Sequence, residues 1–508
     1  MATLASRDTS GVLQRGSGEV EVQRTRSAKK WLIGTLPDGR KQFRVGSTIG
    51  PLHYRSDPFD DTEAWKEIDL TIRPAPQGTG WQYEVTDNGY QVRIWQRYTL
   101  PWSYAAEFRR AGEWVRMAPV ELRYVNAAGE RQTIATPTKG LVPVIDNDAY
   151  TVTWQDCFGT GLHFRYNISP DQFAKTVVID DSSNLPPASI NAEGLRVEIV
   201  MGLAWSGQAG NGFGKGRDLT VLTGPEDAED ERKPRYGKHP HLRGDGLAAL
   251  WMAEPRAWDA EGETLPMEWG LERKGRRVYG AFGVNVADLA GAAWPVAIDT
   301  AITEEQVGAS ADDAESRDGT WPTDATPAAT SLTQAYSYCG RSTAWYMALT
   351  RFQTVPIPKA ATIDSAAISC MASSSSSASV NYTLVAEDVD DAAAFHATTH
   401  NGYHCYSNRT TSAAAWTPGV WTGGNWYNSA DCKGSVEEVV GRAGWASGNS
   451  LVLFMYPASN AETNLRSIRT YDNTGNVSGP KFNCTYTEGT PTPTGNPIWY
   501  YNMLRRAN

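Results

Sequence analysis

The chain has no run approaching the roughly 20 consecutive apolar residues that a membrane-spanning helix needs, so no span is expected. Residues 1–30, MATLASRDTSGVLQRGSGEVEVQRTRSAKK, hold no apolar core of the length a secretory signal requires, and export by that route is not expected. Cysteine is scarce, six in 508 residues, too few to staple a chain of this size. Free buried thiols are the expectation, with Cys405–Cys432 the pairing to consider if the protein meets an oxidising environment. Basic residues do not outnumber acidic ones: 47 against 57, for a net charge of −10. That argues against a general nucleic-acid binder, which needs basic surface to displace counterions. The signatures of chemistry are missing too. There is no G-x-S-x-G elbow, no H-E-x-x-H and no C-x-x-C. The glycine-rich stretch GQAGNGFGKGRD (207–218) lacks the Gly-Lys-Ser/Thr ending and the strand–helix setting of a phosphate loop, and reads as a loop. EDAEDERK (226–233) reads as a solvated charge run.

What is present points to strands. Nineteen Trp, 22 Tyr and 47 Gly, with no alternation of strand and helix patterns, favour an all-β chain rich in turns. Its length exceeds one ordinary core and predicts more than one domain. Pro37-Asp38-Gly39 lies between two strand-like runs, and Asn88-Gly89 precedes alternating Val92 and Ile94; both are hairpin signals. WVRMAPVELRYV (114–125), LAALWMA (247–253) and VYGAFGVNV (278–286) read as further strands.

The most informative stretch is SVEEVVGRAGWASGNSLVLFMY (435–456). Ser435 and Glu438 have the spacing of a capping box. Val436, Val439 and Val440 then share one helical face, and Gly441 or Gly444 supplies the left-handed residue that stops a helix. LVLFMY (451–456) is apolar at every position, which predicts a central strand covered on both sides.

These residues also carry a resemblance. VEEVVGRAGWASGN (436–449), WPVAIDTAI (294–302, with Thr300 where proline is usual), ALTRFQTVPIPKAATIDSAAISC (348–370), LVAEDVDDAAAF (384–395) and SIRTYDNTGNVSGPKFNCTY (467–486) occur in order. Together they resemble DNRLRE-type β-sandwich modules, found in bacterial surface and secreted proteins and in structural proteins of tailed phages. Segments 53–72 and 157–180 resemble regions that precede such modules. The resemblance implies a jelly-roll-like C-terminal sandwich with one short helix. A module of extracellular type without an export signal is what a virion protein looks like, assembled in the host cytoplasm and released by lysis.

The expected organisation is therefore an all-β, multi-domain sandwich protein with extended terminal arms. Residues 1–28 would be an extended arm, 29–298 an N-terminal β-rich region of one or two sandwiches, and 299–486 the DNRLRE-like sandwich. Residues 487–508 would be a Pro/Thr linker and an aromatic docking peptide. The expected function is non-enzymatic: a surface-exposed component of the head, neck or tail, such as a decoration protein, collar fibre or tail appendage. Its partners would be other virion proteins and further copies of itself, with no nucleic acid, membrane or cofactor. A carbohydrate-binding module for host surface polysaccharide is the alternative.

Few residues are candidates for a site. Trp416, Trp421 and Trp426 recur every five residues in a turn-rich stretch, and can be core, protein interface or a sugar-stacking surface. Trp499, Tyr500 and Tyr501 lie beyond a Pro/Thr linker and suit docking on a partner or on the chain's own body. His396, His400 and His404 are spaced by four, but Asn401-Gly402 interrupts a continuous helix, and Cys405 would complete a metal site only if the loop curled back. Surface histidines, and no metal, are expected there; the pair His239 and His241 reads the same way. Asp61, Glu63 and Glu67, and the run Glu387, Asp388, Asp390 and Asp391, could pair as catalytic carboxylates. The second run reads as a turn set or, less simply, a calcium site without the EF-hand spacing.

Overall fold

The computed structural model describes residues 3–56, 62–95, 104–110, 113–205, 220–222, 241–244, 247–252, 255–260, 264–274, 277–303, 312–318, 329–332, 334, 336–342, 344–459, 461–474 and 478–488. The fold is all-β, as expected: antiparallel strands form four large sheets, and the α-helices among the described residues are few and short. No helix among these residues is long and apolar enough to cross a membrane.

The sheets stack in two pairs. In the first sandwich a nine-stranded sheet is built around Glu113–Val125, which pairs with Arg196–Trp205 on one side and Ala106–Arg110 on the other. Its partner is a ten-stranded sheet containing Leu162–Ile168, Gln172–Ile179 and Val296–Thr303. Leu162, Phe164, Tyr166 and Ile168 alternate inward along their strand, the two-residue period that a one-sided strand requires. Trp154 fills the space between the sheets, 4.9 Å from Tyr104 and edge-on to Tyr166. Both hairpin signals hold. Gly39 turns with positive φ between Ala28–Thr35 and Lys41–Thr48, and Asn88-Gly89 joins Tyr83–Val85 to Gln91–Ile94.

The second sandwich carries the C-terminal motifs. Its eight-stranded sheet places Leu451–Pro457 between Trp345–Phe352 and Tyr382–Ala386. Every residue of that strand is buried. Leu451, Leu453 and Met455 face the six-stranded sheet opposite, while Val452, Phe454 and Tyr456 enter a separate core with Phe395 and Cys405 on the other side. The uniformly apolar run thus reflects cover on both faces.

The helix differs in detail from its sequence signal. It spans Lys433–Val440 and buries Val436, Val439 and Val440. It begins before Ser435, so no capping box forms. The Asp431 carboxylate accepts from the amide of Lys433. Ser435 Oγ instead donates to the carbonyl of Ser412, and Glu438 accepts from the amides of Thr411 and Ser412. Both side chains are used to tether a neighbouring loop. Neither Gly441 nor Gly444 adopts positive φ; Gly448 does.

The largest departure concerns the N-terminus. Residues 3–28 do not project as an arm in this chain. Leu4, Val12 and Leu13 enter the core of the first sandwich. The strands that follow, Val20–Arg24, Ala28–Thr35 and Lys41–Thr48, add to the six-stranded sheet of the second sandwich. There Lys41–Thr48 pairs with Lys481–Thr487 along its whole length, for example Val45 with Cys484. The expected boundary at 298/299 also falls inside a strand: Val296–Thr303 pairs with Gln172–Ile179 and belongs to the first sandwich. Hydrophobic pattern defines a strand but not which sheet edge receives it, and here the partners lie more than four hundred residues apart. The linker and aromatic segment from 489 onward lie outside the described residues.

Candidate functional site

The segment that follows Tyr382–Ala386 leaves the sheet at Glu387 and returns at Ala414–Trp416, crossing the outer face of the eight-stranded sheet. It closes on itself twice. His396 and His400 exchange backbone hydrogen bonds at 2.8 and 3.3 Å, making a tight loop. Asn401 then caps a short helix, Gly402–Ser407, its side chain accepting from the amide of His404. Asn401-Gly402, expected to break a helix, starts one. The amide of Gly402 donates to Ser316 Oγ at 2.8 Å, a contact with no room for a side chain on Gly402.

The curled segment brings His400, His404 and Cys405 to one carboxylate. His400 Nε2 lies 2.9 and 3.0 Å from the two oxygens of Glu387. His404 Nε2 lies 3.5 Å from Glu387 Oε1, and Cys405 Sγ 3.8 Å from His400 Nε2. One ligand-type atom from each of Glu387, His400 and Cys405 fits within 4.8 Å of the others, and all three residues are buried. The His404 side chain is 44% exposed and forms the outer wall. His400 Nδ1 faces the carbonyl of Ala394 at 3.1 Å, and Phe395 stacks on the ring. Burial opposes protonation of His400, but the Glu387 carboxylate outweighs it and raises the imidazole above its ordinary pKa. Burial, with the charge of Glu387 adding to it, pushes the Cys405 thiol well up. The surface-histidine expectation therefore holds for His396, which is exposed, and fails for His400. The spacing of His400, His404 and Cys405 was readable in the sequence; the part of Glu387, thirteen residues before His400, was not.

The neighbouring carboxylates have other work. Asp388 and Asp390 grip Arg442 at 2.6 and 2.8 Å, and Asp391 accepts from the amide of Ser450 at 2.7 Å. These contacts pin the segment to the end of the helix and to the central strand, each through one oxygen of the carboxylate. Glu63 and Glu67 are likewise paired, with Lys66 and Lys29; Asp61 lies outside the described residues.

The tryptophans resolve towards core. Trp416 and Trp421 are buried and their rings lie 6.0 Å apart. Tyr427 stacks on Trp421 at 5.1 Å, and residue 421 bridges Ser376 by two backbone hydrogen bonds. Trp426 is half-buried, with Lys481 Nζ 3.6 Å from its ring centre and its indole N–H donating to Thr9. Trp416 and Trp421 belong to the main core of the second sandwich and Trp426 lies outside it, so the three do not form a flat exposed surface for sugar stacking. Trp499, Tyr500 and Tyr501, and His239, lie outside the described residues.

No protein-family model matches this chain, and no curated protein matches it. Solved structures offer only distant likeness. An exo-β-1,3-galactanase from Phanerochaete chrysosporium aligns at 10% identity over 94% of this chain and 97% of its own, with a TM-score of 0.14. The N-terminal domain of a Streptococcus gordonii adhesin aligns at 6% identity over 92% and 90%, with a TM-score of 0.12. A Paenibacillus xanthan lyase aligns at 7% identity over 92% of this chain and 55% of its own, with a TM-score of 0.13. Likeness at this level carries no functional argument.

Proposed function

We propose that this chain is a non-enzymatic structural protein of a tailed-phage particle, exposed on the head, neck or tail and acting by association with other virion proteins and with copies of itself. The observation that carries the associative part is at the sheet edges. Val20–Arg24 ends the six-stranded sheet and Val144–Asp146 ends the ten-stranded one, with no outer neighbour among the described residues. Both edges expose valines: Val20 and Val22 on the first, with Ile33 on the adjoining strand, and Val142 and Val144 at the second. Bare strand edges bearing apolar side chains are costly in a protein that works alone, and are the usual template for strand addition by a partner. The phage assignment rests on the resemblance to DNRLRE-type modules. The runs that carry it from 348 to 486 supply strands and the helix of one sandwich.

The test begins with purified particles, by mass spectrometry for the chain and electron cryomicroscopy for its place. The expected result is an ordered protein whose valine edges are covered by neighbours. Val20→Lys with Val22→Lys should fold, since both sites are exposed, yet fail to join the particle. Absence of the chain from particles would overturn the assignment, and retention of the soluble protein on host polysaccharide would put the carbohydrate-binding reading in its place.

A further inference from the structure

Both ring nitrogens of His400 are engaged, and a neutral imidazole cannot donate to both partners. A neutral imidazole has one N–H and one lone pair. Both nitrogens of His400 face acceptors: Nδ1 the Ala394 carbonyl at 3.1 Å, and Nε2 the two oxygens of Glu387 at 2.9 and 3.0 Å. If Nδ1 donates to the carbonyl, a positive charge must stand between Nε2 and the carboxylate. A proton would satisfy that pair alone. It would not account for a buried thiol, Cys405, 3.8 Å from His400 Nε2, or for a second imidazole, His404, 3.5 Å from Glu387 Oε1.

We propose that Glu387, His400, His404 and Cys405 bind one zinc ion, which fastens the segment 387–407 over the outer face of the eight-stranded sheet. The donor set is two imidazole nitrogens, one thiolate and one carboxylate oxygen, a combination suited to a borderline-soft ion. Bonds of about 2.0–2.3 Å at tetrahedral angles place such donors about 3.3–3.7 Å apart. Glu387, His400 and Cys405 already offer atoms within 4.8 Å of one another, and rotation of the partly exposed His404 side chain, 3.5 Å from Glu387 Oε1, brings in the fourth donor. The outer sphere is also built. Nδ1–H of His400 donating to Ala394 fixes the tautomer that leaves Nε2 free to coordinate, an arrangement common at metal-bound histidines. Zinc would take the place of the His400 proton and displace the proton of Cys405 to solvent. The exposed edge of His404 gives the ion its way in.

The site has a structural purpose. Phe395 and Cys405, from the crossing segment, cover Val452, Phe454 and Tyr456. A four-ligand shell closed by protein makes a clip and leaves no position for substrate.

The test uses the full-length chain produced without a histidine tag. Metal analysis and titration with zinc or cobalt should give one equivalent per chain. The cobalt form should show a thiolate-to-cobalt charge-transfer band in the near ultraviolet and the intense visible bands of a tetrahedral ion. Cys405→Ser should abolish the charge-transfer band, and His404→Ala should weaken binding by more than about tenfold. Zinc should raise the melting temperature of the wild type by more than that of these variants. If Cys405→Ser does not fold, His404→Ala, at a half-exposed position, decides alone. A chain that takes up neither metal would overturn the proposal, as would bands and affinity that persist in the variants. None of these results depends on whether the protein comes from a particle.

Discussion

At residue 421 an indole lies against Tyr427 at 5.1 Å and Trp416 at 6.0 Å, with the Arg466 guanidinium 5.5 Å from its ring. A ring held this way packs the core and is not offered to a ligand. Trp421→Ala should therefore cost about 3–5 kcal/mol in a denaturant titration; an unchanged midpoint would show that the ring is not core. His53 is a second residue whose role depends on burial. Its Nδ1 meets the carbonyl of Thr25 at 2.6 Å, and burial lowers its pKa from 6.5 to about 4. Between those values the unfolded chain binds a proton that the native chain refuses. Stability from this group is thus fully present above pH 6.5 and is lost as pH falls towards 4, by on the order of 3 kcal/mol. His53→Gln, which keeps an N–H for Thr25, should flatten that part of the stability profile relative to the wild type. Parallel profiles for the two proteins would refute it.

The strand Leu451–Pro457 shows what an element owes to its neighbours. An amphipathic strand tolerates truncation at every second position, because alternate side chains meet water. Here Leu453 lies in the core between the sheets, and Phe454 in the core under the segment 387–407. Leu453→Ala should cost about 2–5 kcal/mol and Phe454→Ala about 3–5, with no alternation along the strand. A near-neutral Phe454→Ala would mean that the covering segment is not seated in solution. Two-sided burial was legible because side chains alternate across a strand, so an unbroken apolar run covered on one face would hold a row of large apolar groups in water. The helix signal was read correctly for its buried face and wrongly for its start. Ser and Glu three residues apart serve a capping box or a loop tether equally well, and only the position of residues 411–412 separates the two.

Across the whole molecule, the N-terminal segment joins the two sandwiches. Leu4, Val12 and Leu13 sit in one core, while Asp8 meets Lys481 of the other sandwich at 3.3 Å, both side chains almost fully buried. Burial lowers Lys481 to about 8 against the pull of Asp8. The Asp8 carboxylate also accepts from the amides of Ser10 and Leu13. Tyr471 adds a second tie, its hydroxyl donating to Asp171 at 2.9 Å. Removing one partner of a buried pair leaves a charge without compensation, and Asp8→Ala should cost about 3–5 kcal/mol. Calorimetry should show the melting temperature of the whole chain falling. An effect no larger than that of an exposed substitution would mean that the segment does not bridge the sandwiches.

Consecutive residues were enough to read the all-β class, the hairpins, the two-faced central strand and the valine face of the helix. Each depends on a local rule, whether side-chain period, turn chemistry or residues three and four apart, and local rules are written in consecutive residues. That Lys41–Thr48 pairs with Lys481–Thr487, that Trp416 and Trp421 are core, and that Glu387 meets His400, His404 and Cys405 came from the packing of the folded chain. Those outcomes turn on which sheet edge is open and on how a loop folds back. Such choices follow from the packing of the whole chain and leave no periodic mark on the segments they join.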